Sequence, residues 1–86
     1  MPIIFSKRFK KAYKRLPRPV QGKVKKALRL LDEDQRYPSL RVKRIQGTSS
    51  LYEGRIDQKY RFSFEFDGED ILLRNVDNHD ECLRNP

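Results

Sequence analysis

The sequence predicts an α+β fold in which two N-terminal amphipathic helices pack on one face of a small, twisted, mostly antiparallel sheet. Apolar side chains recur every three or four positions from Phe5 to Leu16 and again from Val20 to Leu31, as on two helices that each bury one face. From residue 40 onward, apolar and polar residues alternate instead, as they do in strands. A length of 86 residues supplies one core of ordinary size, so residues 1–86 are expected to form one domain.

The predicted order of elements is β-α-α followed by three or four strands. Residues 2–5 form a short strand, Ser6 is the N-cap of the first helix, and Pro17 and Pro19 separate the two helices. Four later segments have strand character and are bounded by polar or Gly-containing turns: residues 40–45, 51–56, 60–66 and 71–76.

Charge is strongly positive and unevenly distributed. Twenty Lys and Arg against twelve Asp and Glu give a net charge of +8. Residues 1–31 contain eleven basic residues and no acidic one, whereas residues 62–86 contain two basic and seven acidic residues. A basic body of this kind attracts a polyanion, most simply a nucleic acid, although a solvated helical face is the alternative.

Composition excludes several classes of protein. No apolar run approaches the ~18 residues of a membrane span, and the N-terminus lacks the pattern of a signal peptide. The single cysteine, Cys82, excludes a disulfide framework and a Cys-cluster metal site, and it predicts a reducing cytoplasm. Because one histidine and scattered acidic residues have no metal-site spacing, neither a metal nor another cofactor is expected.

Side-chain alternation predicts which residues share a face of the sheet. If residues 57–59 close a hairpin, Gly54 lies opposite Phe62 on the helix-covered face, and Arg55 lies opposite Arg61 on the other face. Like charges opposed across two strands are destabilising, so this pair suggests that an anion binds there in the functional complex. The alternative is that nearby acidic side chains and solvent screen the two charges.

The following hairpin is expected to place Phe64 opposite Ile71. This register puts Arg74 on the arginine-bearing face, together with the apolar side chains of Leu72 and Val76. Since both helices are predicted on the opposite face, the arginine-bearing face, termed the second face below, is expected to be uncovered.

Three parts of the chain resemble the RelE/ParE superfamily of toxins. Leu40-Arg-Val-Lys-Arg-Ile-Gln-Gly47 is similar to their L-x-x-K-x-L-x-G stretch. Leu51-Tyr-Glu-Gly-Arg-Ile56 followed by Lys59-Tyr-Arg-Phe-Ser-Phe64 is similar to their [LW]-[YW]-x-x-R-[IV]…Y-R-[IV]-x-[YF] core. Asn75-Val-Asp-Asn-His-Asp-Glu81 resembles the C-terminal segment of RelE-like members. The resemblance covers essentially the whole chain and favours the RelE-like branch.

The resemblance implies the toxin of a type II toxin–antitoxin system. Members of the RelE branch cut mRNA in the ribosomal A site and so inhibit translation. The implied activity is a metal-independent endoribonuclease in which the RNA 2′-OH attacks the adjacent phosphate. The implied partners are the ribosome, mRNA and a cognate acidic antitoxin. The toxin–antitoxin complex is expected to be a higher-order hetero-oligomer, and the expected location is the cytoplasm.

Site residues follow from chemistry and from the resemblance together. Arg61 and Arg55 suit the phosphoryl oxygens because guanidinium groups bind phosphate bidentately, and His79, the only histidine, suits proton transfer near neutral pH. Arg61 matches the arginine of the Tyr-Arg core and His79 a C-terminal catalytic position, whereas Cys82-Leu83 stands where many relatives carry a tyrosine. RNA or ribosome binding is assigned to Lys43, Arg44, Arg74, Lys10, Lys11 and Lys14, and antitoxin binding to Leu72 and Val76.

Alternative interpretations stay open at this stage. A ParE-like toxin would poison DNA gyrase without cutting RNA, but such relatives generally lack a C-terminal site centred on histidine. A non-toxic nucleic-acid-binding module would display aromatic residues for stacking, whereas here they alternate into the predicted core. For single residues, His79 is alternatively an ordinary surface residue, Glu53 offsets an arginine rather than acting as a base, and Asp80 and Glu81 belong to a terminal turn.

Overall fold

The computed structural model describes residues 2–86, in which two long helices cover one face of a five-stranded sheet. The strands lie in the order β1-β5-β4-β3-β2, with β1 parallel to β5 and the other neighbours antiparallel. The predicted α+β architecture is therefore confirmed. In chain order the elements are β1 (Ile3–Phe5), α1 (Lys7–Arg15), α2 (Arg18–Glu33), a 3₁₀ turn (Pro38–Leu40), β2 (Lys43–Arg44), β3 (Leu51–Arg55), β4 (Tyr60–Asp67), β5 (Asp70–Asn78) and α3 (His79–Arg84).

The helical hairpin begins and divides where the sequence predicts. The Ser6 hydroxyl accepts a hydrogen bond from the backbone N–H of Phe9 at 3.0 Å and so caps α1. Pro19 lies in the first turn of α2, where a missing N–H costs nothing. The apolar residues of both helices form the core with the first face of the sheet: Phe9, Leu16, Val20, Val24, Ala27 and Leu31 with Phe62, Phe64, Ile71, Leu73 and Val76.

The β3–β4 hairpin has the predicted register. Gly54 lies opposite Phe62, and Arg55 lies opposite Arg61. Glycine is required at position 54 because a Cβ added there would lie 2.2 Å from Cζ of the fully buried Phe62 ring. The alternation of these two strands thereby places the arginine pair on the second face, away from the helices.

The β4–β5 hairpin differs from the prediction. Its turn is shorter, so Phe66 rather than Phe64 lies opposite Ile71, and a bulge at Arg74 then shifts the pairing by one residue. A bulge reverses the faces of the residues beyond it. Val76 consequently lies opposite Phe62 and is 1% exposed, so its predicted place on the second face is wrong, and its side chain is buried in the core rather than exposed to a partner.

The segment predicted as a strand at residues 40–45 is mostly irregular. Leu40 ends the 3₁₀ turn, and Arg41 has a left-handed backbone with φ of 45°, which a strand cannot continue through. Lys43 and Arg44 pair with β3 as a strand, and the N–H of Ile45 donates to the backbone oxygen of Leu51 at 2.8 Å. Leu40 is still buried, so its apolar character reflects the core rather than a strand.

The second face is partly covered by α3, which was expected to be only a terminal turn. The Asn78 side-chain oxygen accepts a hydrogen bond from the Glu81 N–H at 3.0 Å and caps this helix. Cys82 of α3 is fully buried beside Ser63, a residue whose side chain belongs to the second face. The expectation that this whole face is uncovered is therefore wrong.

No helix in the described part of the chain is long and apolar enough to cross a membrane.

Candidate functional site

Two arginines and a lysine lie on the second face of the sheet. Arg55 and Arg61 are directly opposed on β3 and β4, where facing Cβ atoms are about 4.5–5.5 Å apart. Lys43 of β2 lies opposite Glu53, two residues before Arg55, and so is on the same face. The structure therefore brings three of the predicted site residues together.

Arg61 is anchored through one end of its guanidinium group. Its Nη1 donates to the backbone oxygen of Asp57 at 2.5 Å and to that of Tyr60 at 2.9 Å. Within residues 2–86, its Nε and Nη2 have no hydrogen-bond partner. These two nitrogens form the edge that matches two oxygens of one phosphate group. The anchored arginine thus retains a complete anion-binding edge.

Neither Arg55 nor Arg61 forms an ion pair with a side chain of the described residues, although Asp77 of β5 lies opposite Arg61. The ion pairs in residues 2–86 join Lys23 to Asp57, Arg74 to Glu65, His79 to Asp80 and Arg84 to Glu81. Glu53 is buried on the second face but forms no ion pair with Arg55 or Arg61 there. The arrangement can therefore attract an anion of high charge density, such as a phosphate.

Arg74 differs from the arginine pair in its contacts. Its Nη1 lies 3.1 Å from Oε1 of Glu65, and its Nε is buried without a partner in the described part of the chain. Arg74 reaches this position from the bulge in β5. Because its charge is already paired, Arg74 is less available to an anionic ligand than Arg55 or Arg61 are.

His79 is the first residue of α3 and its side chain is half exposed. Its backbone N–H donates to the oxygen of Lys59 at 2.8 Å, which fixes the start of α3 against the loop between β3 and β4. Its Nδ1 lies 3.2 Å from Oδ1 of Asp80, a contact that favours a proton on Nδ1. His79 and Arg61 are therefore held at the same end of the sheet, on either side of one loop.

Cys82 fills the position near which the resembling toxins often have a tyrosine. Burial raises the pKa of its thiol to about 11, and the carboxylates of Asp77 and Glu53 act in the same direction, although the Ser63 hydroxyl opposes them. A thiol with so high a pKa stays protonated at neutral pH and is a poor nucleophile or base. Cys82 therefore packs α3 onto the sheet, and His79 is left as the proton-transfer candidate.

The remaining predicted RNA-binding residues do not form one surface. Lys10 and Lys14 border a groove of about 890 Å³ formed by β1, α1 and α2. Lys11 instead borders a cleft of about 650 Å³ between α1, β5 and α3. Arg44 lies opposite Tyr52, whose ring stacks on Phe64, so it is on the first-face side of β2.

The groove beside β1 is a feature that the sequence analysis missed. Its apolar lining includes Ile3, Phe5, Phe9, Tyr13 and Leu28. Its charged lining is mostly basic and comprises Lys10, Lys14, Lys25 and Arg29 together with Asp32. Phe5 is 45% exposed, which is unusual for so large an apolar side chain. The one indication of this groove in the sequence is the apolar pair Ile4-Phe5 in a short edge strand. The groove itself could not be predicted, because it forms only when β1, α1 and α2 pack together.

Solved structures of similar fold cover nearly the whole chain. A chain of the RelB–RelE antitoxin–toxin complex from Methanococcus jannaschii aligns with a TM-score of 0.75 and 24% identity over 91% of this chain and 92% of that chain. YafQ from Escherichia coli aligns with a TM-score of 0.75 and 13% identity, over 92% and 93% of the two chains. The chain has the RelE-like fold. The YoeB/ParE toxin from Agrobacterium tumefaciens has it too, with a TM-score of 0.74 and 14% identity over 92% and 99%.

The chain shares the RelE-like fold with these structures at 13% to 24% sequence identity. No family model and no curated protein matches the sequence. The shared fold explains the helical hairpin and the sheet. It does not assign a function to Arg55, Arg61 or His79, which depends on the chemistry of the side chains in this chain. In residues 2–86, no group of three or more His, Cys, Asp or Glu side chains is arranged to hold a metal ion.

Proposed function

We propose that the protein is the toxin of a type II toxin–antitoxin system and that it cleaves mRNA on the ribosome. The observation that carries this proposal is the opposed pair of Arg55 and Arg61 on the second face of a RelE-like sheet, neither of which forms an ion pair within residues 2–86. An arginine pair that is costly in the free protein becomes favourable when a phosphate lies between the two groups. The solved structures of similar fold support the toxin class, since they include a RelB–RelE antitoxin–toxin complex and a YoeB/ParE toxin.

The proposed reaction uses the nucleophile that RNA itself supplies. The 2′-OH attacks the adjacent phosphorus, the P–O5′ bond breaks, and a cyclic phosphate and a 5′-hydroxyl are formed. Negative charge increases on the phosphoryl oxygens in the transition state, and the Nε/Nη2 edge of Arg61 binds two of them there. Arg55 supplies the second positive charge from the facing strand. His79 exchanges a proton through Nε2 while Asp80 holds its Nδ1.

The ribosome is expected to complete this site. The chain has one good proton-transfer group in His79, because the thiol of Cys82 is buried and inert. Alignment of the 2′-OH with the scissile phosphate must then come from the way the ribosome holds the mRNA. The net charge of +8, with Lys43 beside the arginine pair, provides attraction to ribosomal RNA.

We expect expression of the protein to arrest growth by stopping translation, and purified protein to cut mRNA on programmed ribosomes but not naked RNA. Pulse labelling of new protein measures translation, and primer extension on ribosome-bound and naked mRNA measures cleavage. The DNA-damage response is followed in the same cells. Arrest with DNA damage and continued translation would instead indicate a gyrase poison, and an absence of arrest would indicate a binding module. His79→Ala is expected to slow the cut, with binding to ribosomes unchanged.

The proposed partner is an acidic antitoxin that contacts apolar as well as basic surface. Charge complementarity follows from the mostly basic charged lining of the groove beside β1, and apolar anchors are available at Phe5 within that groove and at Leu72 on the second face. Leu72 lies opposite Glu65 and is partly exposed, so we propose it, and not the buried Val76, as the apolar anchor for the antitoxin on the second face.

The affinity for such an antitoxin is expected to decrease with salt only in part, because buried apolar area is not screened. Phe5→Asp and Leu72→Asp are each expected to weaken binding by about 30-fold or more, as for residues at the centre of an interface. Tyr37→Asp is the matched control, since Tyr37 is 41% exposed but lies outside the groove. Titration calorimetry with the cognate partner over a salt series measures this. Complete loss of binding at high salt, with no effect of either variant, would show that charge alone holds the complex.

A further inference from the structure

The loop between β3 and β4 is organised by the carboxylate of Asp57. Its Oδ1 accepts hydrogen bonds from the backbone N–H groups of Lys59 and Tyr60, both at 2.8 Å. Its Oδ2 lies 3.0 Å from Nζ of Lys23, a residue of α2. One side chain therefore fixes the shape of the loop and ties it to the helical layer.

The ionised form of Asp57 is the one that makes these contacts. Partial burial by itself would raise the pKa of this carboxyl group, but the hydrogen bonds from Tyr60, Lys23 and Lys59 outweigh it and lower the pKa below its ordinary value. The group is consequently charged throughout the neutral range, and its three contacts persist there.

The same loop holds both residues proposed to act on the phosphate. The backbone oxygens of Asp57 and Tyr60 accept from Nη1 of Arg61 at 2.5 Å and 2.9 Å. The backbone oxygen of Lys59 accepts from the N–H of His79 at 2.8 Å. The three carbonyls that hold Arg61 and His79 thus belong to Asp57 itself and to Lys59 and Tyr60, the two residues whose N–H groups donate to its side chain.

We propose that Asp57 is a positioning residue that sets the relative placement of Arg61 and His79 through the 57–60 loop. This inference rests on the proposed function and deepens it, because Asp57 itself touches neither substrate nor reacting atoms. With Nη1 held by two carbonyls, the guanidinium group cannot rotate, and its Nε/Nη2 edge is presented without further ordering cost. Preorganisation of this kind favours the transition state rather than binding of the ground state.

The experiment compares Asp57→Ala with the conservative variant Asp57→Asn. The asparagine side-chain oxygen still accepts from the two N–H groups of the loop, whereas alanine accepts from neither. Asp57→Ala is expected to lower kcat for ribosome-bound mRNA by on the order of 10- to 100-fold with little change in KM. Asp57→Asn is expected to retain a kcat close to that of wild type. Asp67→Ala, in the other hairpin, is the control for loss of an exposed hairpin carboxylate.

A second readout does not depend on activity. In ¹⁵N-labelled protein, NMR of the Nη–H groups of Arg61 reports how fast the guanidinium group rotates. The two carbonyl contacts are expected to slow this rotation in wild type and in Asp57→Asn. In Asp57→Ala the rotation is expected to be fast, so that the Nη–H signals average. Equal Arg61 signals and equal kcat in wild type and Asp57→Ala would overturn the positioning role. If Arg61→Ala still cleaves, the proposed function fails instead, while the Arg61 signals still decide whether Asp57 orders the guanidinium group.

Discussion

Gly54→Ala is expected to destabilise the protein by about 3 kcal/mol, in the upper part of the range for overpacking a core. The added methyl group would lie 2.2 Å from Cζ and 2.3 Å from Cε1 of Phe62, a ring that is 0% exposed and must shift within the core to make room. For a domain of this size, such a loss lowers Tm by about 12–24 °C. Thermal unfolding followed by circular dichroism measures it.

Gly22→Ala is the matched control for that substitution. Gly22 lies inside α2, and a Cβ added there meets no atom within 4 Å. Alanine is favoured over glycine in a helix, so this variant is expected to gain about 0.5–1 kcal/mol. Unfolding of Gly54→Ala at the wild-type temperature would show that the Phe62 ring does not pack against β3 at Gly54.

Arg61→Ala is expected to abolish growth arrest and to slow cleavage by about 100- to 1000-fold, as does removal of one donor to a developing oxyanion. The fold should persist, because Arg61 is partly exposed on the second face and lies outside the apolar core. Arg61→Lys is expected to restore little activity, since an ammonium group has no edge that binds two oxygens at once. Single-turnover cleavage on ribosomes, together with the Tm of each variant, measures both effects.

Arg36→Ala is the control for loss of one positive charge. Arg36 is exposed and lies in the segment between α2 and the 3₁₀ turn, away from the second-face residues. Its removal is expected to leave cleavage unchanged. An Arg61→Ala protein that is folded and still arrests growth would show that the arginine pair is not the phosphate site.

The sequence allowed the helices and the first hairpin to be predicted because their signals are local. Ser6, Pro17 and Pro19 mark helix boundaries by backbone chemistry, and the odd loop at residues 57–59 determines which residues of β3 and β4 face each other. The opposed pair of Arg55 and Arg61 follows from that register alone. The site was therefore predictable to the extent that it depends on this hairpin.

The second hairpin was predicted less well because a bulge has no reliable pattern of its own. The adjacent leucines, Leu72 and Leu73, fit either face, and the extra residue at Arg74 reverses the faces beyond it. This reversal is what buries Val76. A two-residue turn with Gly68 at a φ of +62° was compatible with the sequence, but a longer turn was equally so.

The C-terminal helix was missed although a signal for it exists. Asn78 followed three residues later by Glu81 is a helix N-terminus pattern, and both residues make the capping contact. A helix of six residues is too short for apolar periodicity to appear. Its packing through Cys82 onto Ser63 depends on tertiary structure, as does the groove beside β1.

The proposed reaction is tested most directly with two ribosome-bound mRNAs that differ by a single 2′-deoxynucleotide on the 5′ side of the mapped cut. Wild-type protein is expected to cut the all-ribose mRNA and leave a cyclic phosphate and a 5′-hydroxyl, and to leave the deoxy-substituted mRNA intact at that position. Arg61→Ala is expected to cut neither. Equal cutting of both mRNAs, or products with 5′-phosphate ends, would contradict attack by the 2′-OH on a phosphate held by the arginine pair.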